Sequence, residues 1–536
     1  MLSKKEQYEL RNQLFRHLDG IGTAPSAYTL YEKGVIKYIK EHGSVTLQEA
    51  VQQFGANEGY LNVALRIMAS QGWLEQGLDN KKDALNYQMT TKGEYAFDLI
   101  PLYEDVVELL RFSEKFHARK FDIEPFNRLA AIFDKYKNSY GLKDTEDEVK
   151  NEVQQQVLAH IEGIIVGPTV VRLGMSGMFH KYFMEASFRP EEFHSDAESF
   201  RRLLDIFVDL DWFKKTNGTY QFTEKGLFYA RRASAYGVTV SYIPTFRKLD
   251  ELIFGDPNYF SKQKGVPEEH VDREMNVWGS GGAHSAYFKV VDEIIIDMFN
   301  RPIAEQPKGI LDMGCGNGAF LKHIFDVIEK QTSRGKMLDE HPLFLVGADY
   351  NEAALDITKS NLIAADIWAK IIWGDIGRPD LLAKDLQENY GIDIKDLLNV
   401  RTFLDHNRIW EEPDTQTQDR HSKSTGAFAT KGKRLSNNLV EESLLVHFKK
   451  WAPFVKKFGL LVIELHTIPP HLAAQNLGQT AVTAYDATHG YSDQYIVEVE
   501  VFHKIAQEAG LTVNQDHFKK FPDGELATVS INLLEG

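Results

Sequence analysis

The residues best suited to chemistry lie in one stretch, Lys308-Gly-Ile-Leu-Asp312-Met-Gly314-Cys315-Gly316-Asn-Gly318-Ala-Phe-Leu-Lys-His-Ile-Phe325. Ile310 and Leu311 read as the end of a buried strand. Three glycines then make a tight turn with little projecting from the backbone, and Cys315 sits in it where a small residue is wanted. Phe320, Leu321, Ile324 and Phe325 follow at helical spacing. A strand, a glycine turn and a helix in this order let a nucleotide-like ligand approach the main chain. The spacing is G-x-G-x-G with Ala at 319, so the dinucleotide pattern G-x-G-x-x-G is not met. The Asp312 carboxylate, two residues before the first glycine, would repel a pyrophosphate. It suits a ligand that carries an ammonium and a sulfonium.

Two later acids extend the pattern. Leu343-Phe-Leu-Val-Gly-Ala-Asp349 reads as a second strand ending in an acid, with Tyr350 next. Ala369-Lys-Ile-Ile-Trp-Gly-Asp375-Ile376 reads as a third. D-x-G-x-G-x-G resembles motif I of the class I S-adenosylmethionine (SAM) methyltransferases. The resemblance implies that Asp312, Gly314, Cys315, Gly316 and Gly318 line SAM. It also implies that Asp349 and Tyr350 hold the ribose, and that Asp375 and Ile376 cap the adenine. One interval departs from the pattern: Asp349 lies 31 residues past Gly318, where roughly 20 is usual. The polar run 331–341 is expected to absorb the excess as a loop.

Further candidates flank this core. Asn276 to Tyr287 is glycine-rich and reads as a segment folded over the methionine tail of SAM through Gly281 and Tyr287, with a plain linker as the competing reading. Arg401-Thr-Phe-Leu-Asp405-His406-Asn407-Arg408 reads as the end of a fourth strand, where ligands bind in open α/β sheets. Arg401, Asp405, His406 and Asn407 are therefore expected to face substrate. His466 closes a fifth strand, Gly459 to His466. Tyr485-Asp486-Ala-Thr-His489-Gly-Tyr-Ser-Asp-Gln494-Tyr follows. Three readings stay open for this set. A His acts as general base, with Tyr485 and the acids around it. Two imidazoles and an oxygen ligand hold a divalent metal that stabilises an enolate. Or these are hydrogen-bonded loop residues with no part in chemistry.

Taken together, the 276–287 segment, R-T-F-L-D-H-N-R at 401–408, H-T-I-P-P at 466–470 and Y-D-A-T-H-G-Y-S-D-Q-Y at 485–495 resemble the methyltransferases of polyketide loading modules, such as those of the apratoxin, gephyronic acid and saxitoxin pathways. The resemblance implies a mononuclear metal, iron or manganese, on His466, His489 and Gln494, with Asp486 and His406 in reserve. It implies C-methylation of a malonyl-type unit on an acyl carrier protein. The chain ends at Gly536, just after the last expected strand, so the substrate is expected on a separate carrier protein or as a diffusible molecule. The alternative is a metal-independent O-methyltransferase of a small molecule, with His406 or His489 as base. A more distant one is a winged-helix regulator with SAM as effector.

The elements that must position these residues occupy the rest of the chain. At 536 residues several domains are expected. The divisions are a winged-helix-like helical domain over 1–120, a second winged-helix-like and lid region over 121–268, and the methyltransferase domain over 269–536. A polar, mobile insertion is expected at about 411–438. The fold class is a Rossmann-like α/β sheet of seven strands behind a mainly helical N-terminal half. Two copies of one pattern mark that half. Trp73 and Trp212 are 139 residues apart, and the T-x-K-G turns ending at Gly93 and Gly226 are 133 apart. The third helix of the first copy, from Glu58, has one Arg and no Lys, a poor match to a DNA-recognition helix. A net charge of −16 opposes binding to nucleic acid or an anionic membrane. No uninterrupted run of about 18 apolar residues is present, and the single Cys excludes an internal disulfide. A cytoplasmic enzyme, dimerising through its N-terminal half, is the expectation.

Overall fold

The computed structural model describes residues 2–112, 123–182, 186–260, 268–414, 416–417 and 419–536. The chain divides into two compact units. The first contains Met1–Gly282 with two later segments, Ala427–Arg434 and Pro469–Asp493; the second contains Ala283–Gly426, Leu435–Ile468 and Gln494–Gly536.

The first unit is built on two long helices, Lys4–Glu32 and Glu148–Met175. They meet where side chains are missing. A Cβ on Gly20 would fall 2.3 Å from the His160 Cα, and one on Gly163 would fall 2.3 Å from the His17 carbonyl oxygen. The apolar, glycine-punctuated run 161–172 is thus core, within a helix long and apolar enough to cross a membrane by composition, whose apolar window is 83% buried in the fold.

Each winged-helix copy closes on the same bond pattern. Thr90 N–H donates to the Trp73 carbonyl, and the Gly93 N–H donates to the Thr90 hydroxyl at 3.0 Å. Thr223, Trp212 and Gly226 repeat it, with the Gly226 N–H donating to Thr223 Oγ1 at 2.9 Å. In the first copy, strands Ser44–Thr46, Ala84–Met89 and Leu74–Asp79 pair antiparallel in that spatial order. Its third helix, Glu58–Ser70, is buried from Gly59 onward. The Gly59 N–H donates to Gly432, and Arg66 pairs with Asp486 at 3.0 Å. A helix sheathed in this way presents no face to a DNA groove.

The second unit is a mixed sheet. Its strands are β1 (Gly309–Met313), β2 (Phe344–Asp349), β3 (Lys370–Trp373), β4 (Leu397–Thr402), β5 (Leu460–Leu465), β6 (Thr512–Val513), β7 (Lys519–Phe521) and β8 (Val529–Glu535). The spatial order is β6-β8-β5-β4-β1-β2-β3, with β7 also paired to β8. Strands β1 to β5 pair parallel to one another, and β8 runs antiparallel to β5. The sheet has eight strands rather than the seven expected, because β6 and β7 pair different parts of β8. The run between the first helix and β2 forms a short 3₁₀ turn, Arg334–Met337, so it absorbs the long interval before Asp349.

Two expectations are corrected. Asn276 to Tyr287 is neither linker nor loop but part of one helix, Arg273–Asn300. The reason is a close crossing: a Cβ on Gly279 would fall 2.7 Å from Gly237 backbone atoms. The polar segment 411–426 is also no free flap in its described residues. Arg420 ion-pairs with Glu441, Glu442 and Glu508, Ser422 donates to Glu441, and Thr425 donates to Glu498. Its polarity serves buried carboxylates, which would otherwise be costly.

Candidate active site

The glycine turn after β1 is stripped of side chains for specific reasons. Gly314, Gly316 and Gly318 all have positive φ, at 78°, 56° and 78°, which favours glycine. A Cβ on Gly314 would fall 2.8 Å from Leu404, and one on Gly318 would fall 3.0 Å from Thr358. Gly316 has no side chain within reach of a Cβ, so its backbone is open to a ligand. Thr358 donates to the Gly316 carbonyl at 2.8 Å and Asn361 to the Asn317 carbonyl at 2.9 Å. These two helix residues hold the turn, and sequence reasoning missed them. Cys315 packs beside Thr358, its thiol pushed up by burial.

Three acids gather round the turn. Asp349 Oδ2 accepts the Gly316 N–H at 3.0 Å and Oδ1 accepts the Asn351 N–H at 2.9 Å. Its remaining lone pairs can still receive two hydroxyls. Asp375 accepts the Gly377 N–H, and Ile376 is buried beside it. Asp312 differs. It is 1% exposed and neither carboxylate oxygen has a hydrogen-bond partner. Burial, with the Asp349 charge, pushes its pKa up to about 8. A buried acid with nothing to hold is costly alone, and an ammonium or sulfonium beside it removes that cost. The residues therefore fit SAM. Tyr350 is exposed and packs near Trp373. Tyr287 is half-buried between Phe403 and Phe521. Gly281 has open space where a Cβ would be.

The loop after β4 lies against this turn through Leu404. Here the expectation divides. His406 is buried, and its Nδ1 lies 2.5 Å from Glu464 Oε1, on the neighbouring β5. The His406 N–H donates to the other Glu464 oxygen at 3.3 Å. Arg401 and Asp405, in contrast, are paired with each other. They are 0% and 1% exposed and form a two-point ion pair, Nε to Oδ2 at 2.9 Å and Nη2 to Oδ1 at 2.6 Å. An acid and a base four residues apart across a strand end neutralise each other inside the fold. Glu464 was missed, although a carboxylate inside the apolar run Leu460-Leu-Val-Ile-Glu-Leu is itself a signal.

Of the expected metal ligands, His466 does not fit the role. His466 is fully buried with both ring nitrogens engaged, Nδ1 with the Val497 carbonyl at 2.9 Å and Nε2 with Ser530 Oγ at 2.6 Å. Burial pulls its pKa down to about 3. No nitrogen is left to ligate. His489 and Tyr485 lie on the helix Val482–Gly490 of the first unit, where the Tyr485 carbonyl and Thr488 hydroxyl hold His489 Nδ1. Gln494 is buried and belongs to the second unit. Among the described residues no group of three His, Cys, Asp or Glu side chains is placed to hold a metal ion. Asp486 is committed to Arg66.

The family models settle the kinship. Residues 268–532 match the AprA MT2-like domain, 162–256 the AprA winged helix domain and 10–76 the AprA N-terminal domain. The chain belongs to the AprA-like methyltransferases. It is a SAM-dependent methyltransferase. No curated protein matches it. Among solved structures, this AprA-like chain is similar to the mitomycin 7-O-methyltransferase MmcR, at 10% identity and TM-score 0.41, over 72% of this chain and 98% of that one. LepI in complex with SAM matches at 12% and 0.38, over 82% and 99%. Human N-acetylserotonin methyltransferase with SAM matches at 13% and 0.36, over 74% and 100%.

Proposed function

We propose that this AprA-like enzyme moves the SAM methyl group onto the carbon of a malonyl-type acyl group carried as a thioester on an acyl carrier protein, with His406 as general base. The observation that carries the reading is the 2.5 Å contact between His406 Nδ1 and Glu464 on the loop that packs on the glycine turn. Glu464 fixes the ring and stabilises the imidazolium that forms when His406 accepts the proton. Membership of the AprA family supports an acyl substrate. The carbon between two carbonyls gives up a proton to His406, and its electron pair attacks the methyl group in line. SAM supplies an electrophilic methyl whose bonding pair stays on sulfur as the carbon–sulfur bond breaks. Asp312 holds the cationic end of SAM, and the bare Gly316 backbone lets it approach.

The base works without a metal, and a metal-assisted variant would need ligands other than His466. The deciding experiment is intact-mass analysis of malonyl- and methylmalonyl-loaded carrier proteins incubated with enzyme and SAM, with and without a chelator. A gain of one methyl that survives chelation and is lost in His406→Ala supports the reading. Methylation of hydroxylated small molecules alone, with none on any carrier, would replace it with O-methylation by the same dyad. Loss of activity on chelation would restore a metal.

A further inference from the structure

Beside the His406–Glu464 dyad runs a line of buried side chains to which the proposed reaction gives no role. Asp405 precedes His406. Besides the Arg401 bonds, its Oδ1 accepts from His447 Nε2 at 2.9 Å, and its main-chain carbonyl accepts from Arg408 at 3.0 Å. The Arg401 guanidinium lies 4.8 Å from the centre of the Trp451 ring. The Trp451 indole N–H donates to the Ile376 carbonyl at 2.8 Å. Ile376 is the residue that the resemblance to SAM methyltransferases sets against the adenine. Contacts thus run unbroken from the adenine loop to the loop that carries the base. Arg401, Asp405 and Trp451 are each at most 1% exposed, so the line runs through the interior, where polar contacts are strong.

We propose that this line couples SAM binding to the placement of His406, with Trp451 as the positioning residue at its centre. The proposal rests on His406 being the base. The physical argument is geometric. An indole bonded at one edge to the adenine loop and covered on its face by Arg401 cannot shift without moving the guanidinium. The guanidinium in turn holds Asp405 by the Nε–Oδ2 hydrogen bond and by its charge, which restrains the backbone of the next residue. Packed interiors respond to such a shift by moving as a unit. Displacement of a catalytic group by about 1 Å costs on the order of a hundredfold in rate. Coupling of this kind is reciprocal in binding free energy: whatever loosens the His406 loop must also weaken SAM.

Trp451→Phe keeps an aromatic face but removes the indole N–H along with part of the ring; Asp405→Asn disturbs the far end. SAM affinity by calorimetry and the rate at saturating SAM are measured for both. Each variant is expected to show both defects, SAM binding weakened about tenfold and the saturated rate lowered several-fold. If Trp451→Phe alters only affinity and Asp405→Asn alters only rate, the two ends are independent and the coupling is refuted. Should Trp451→Phe fail to fold, His447→Gln replaces it with the same two expected defects, and a defect in only one overturns the proposal. A fully active His406→Ala identifies a failure of the base assignment instead, whatever the other variants do.

Discussion

Asp312 is the side chain on which the proposed cofactor binding can be tested most directly. Its carboxyl, pushed up to about 8, is mostly protonated in the free protein at neutral pH. A bound sulfonium and ammonium favour the ionised form. Binding should therefore release a proton below pH 8, and SAM affinity should rise between pH 6.5 and 8.5, by at most about tenfold per pH unit. Calorimetry in buffers of different ionisation enthalpy reads the released proton, and Asp312→Asn should abolish the pH dependence while weakening binding. The stability of the free protein has the opposite sense. A carboxyl raised in the folded state contributes stability that is present below the unfolded value of 3.8 and is lost as pH rises through about 8.

His466 is the second case at this scale. Two histidines near strand ends look alike in sequence, yet His406 meets a carboxylate while His466 is locked between Val497 and Ser530. His466→Ala should leave the metal content of purified protein unchanged and cost about 2–4 kcal/mol in a thermal or denaturant melt. Its depressed pKa gives stability that is full above the unfolded value of 6.5 and is lost as pH falls toward about 3. Which histidine meets a carboxylate was not legible, because it depends on what stands opposite each ring.

Among the elements, the repeated T-x-K-G turn was the most legible. Its glycine is required by sterics: a Cβ on Gly93 would fall 2.1 Å from the Trp73 carbonyl oxygen, and one on Gly226 would fall 2.0 Å from that of Trp212. Gly93→Ala and Gly226→Ala should each destabilise the protein by about 2–4 kcal/mol, by the same mechanism, in denaturant melts. The glycines of 276–287 misled for an instructive reason. Glycine in a polar context reads as a loop, but Gly279 is absent of side chain because another helix backbone passes there. Composition does not say which of the two a glycine serves. The polar stretch 411–426 misled likewise, since its Arg and hydroxyl groups answer carboxylates at 441, 442, 498 and 508 that lie apart in sequence.

For the whole molecule, the first unit draws on segments from beyond the sequence boundary near 268. Ala427–Arg434 and Pro469–Asp493 belong to the first unit, where they cover the helix Glu58–Ser70 through Gly432 and Asp486. Expression of residues 268–536 alone would leave both segments without the surfaces they bury against. That fragment should aggregate or show no cooperative melt, whereas the full chain should melt cooperatively; size-exclusion chromatography and calorimetry distinguish the outcomes.

The sequence by itself determined the sheet with its glycine turn and three acids, and the winged-helix repeat. Such features are local: a few residues at fixed spacing set backbone shape and the apolar face of an element. Only the tertiary structure decided the rest. Arg401 meets Asp405, His406 meets Glu464, and His466 is buried among core hydrogen bonds. The reactivity of a titratable side chain depends on its burial and its opposite neighbour, and the fold brings that neighbour from another strand.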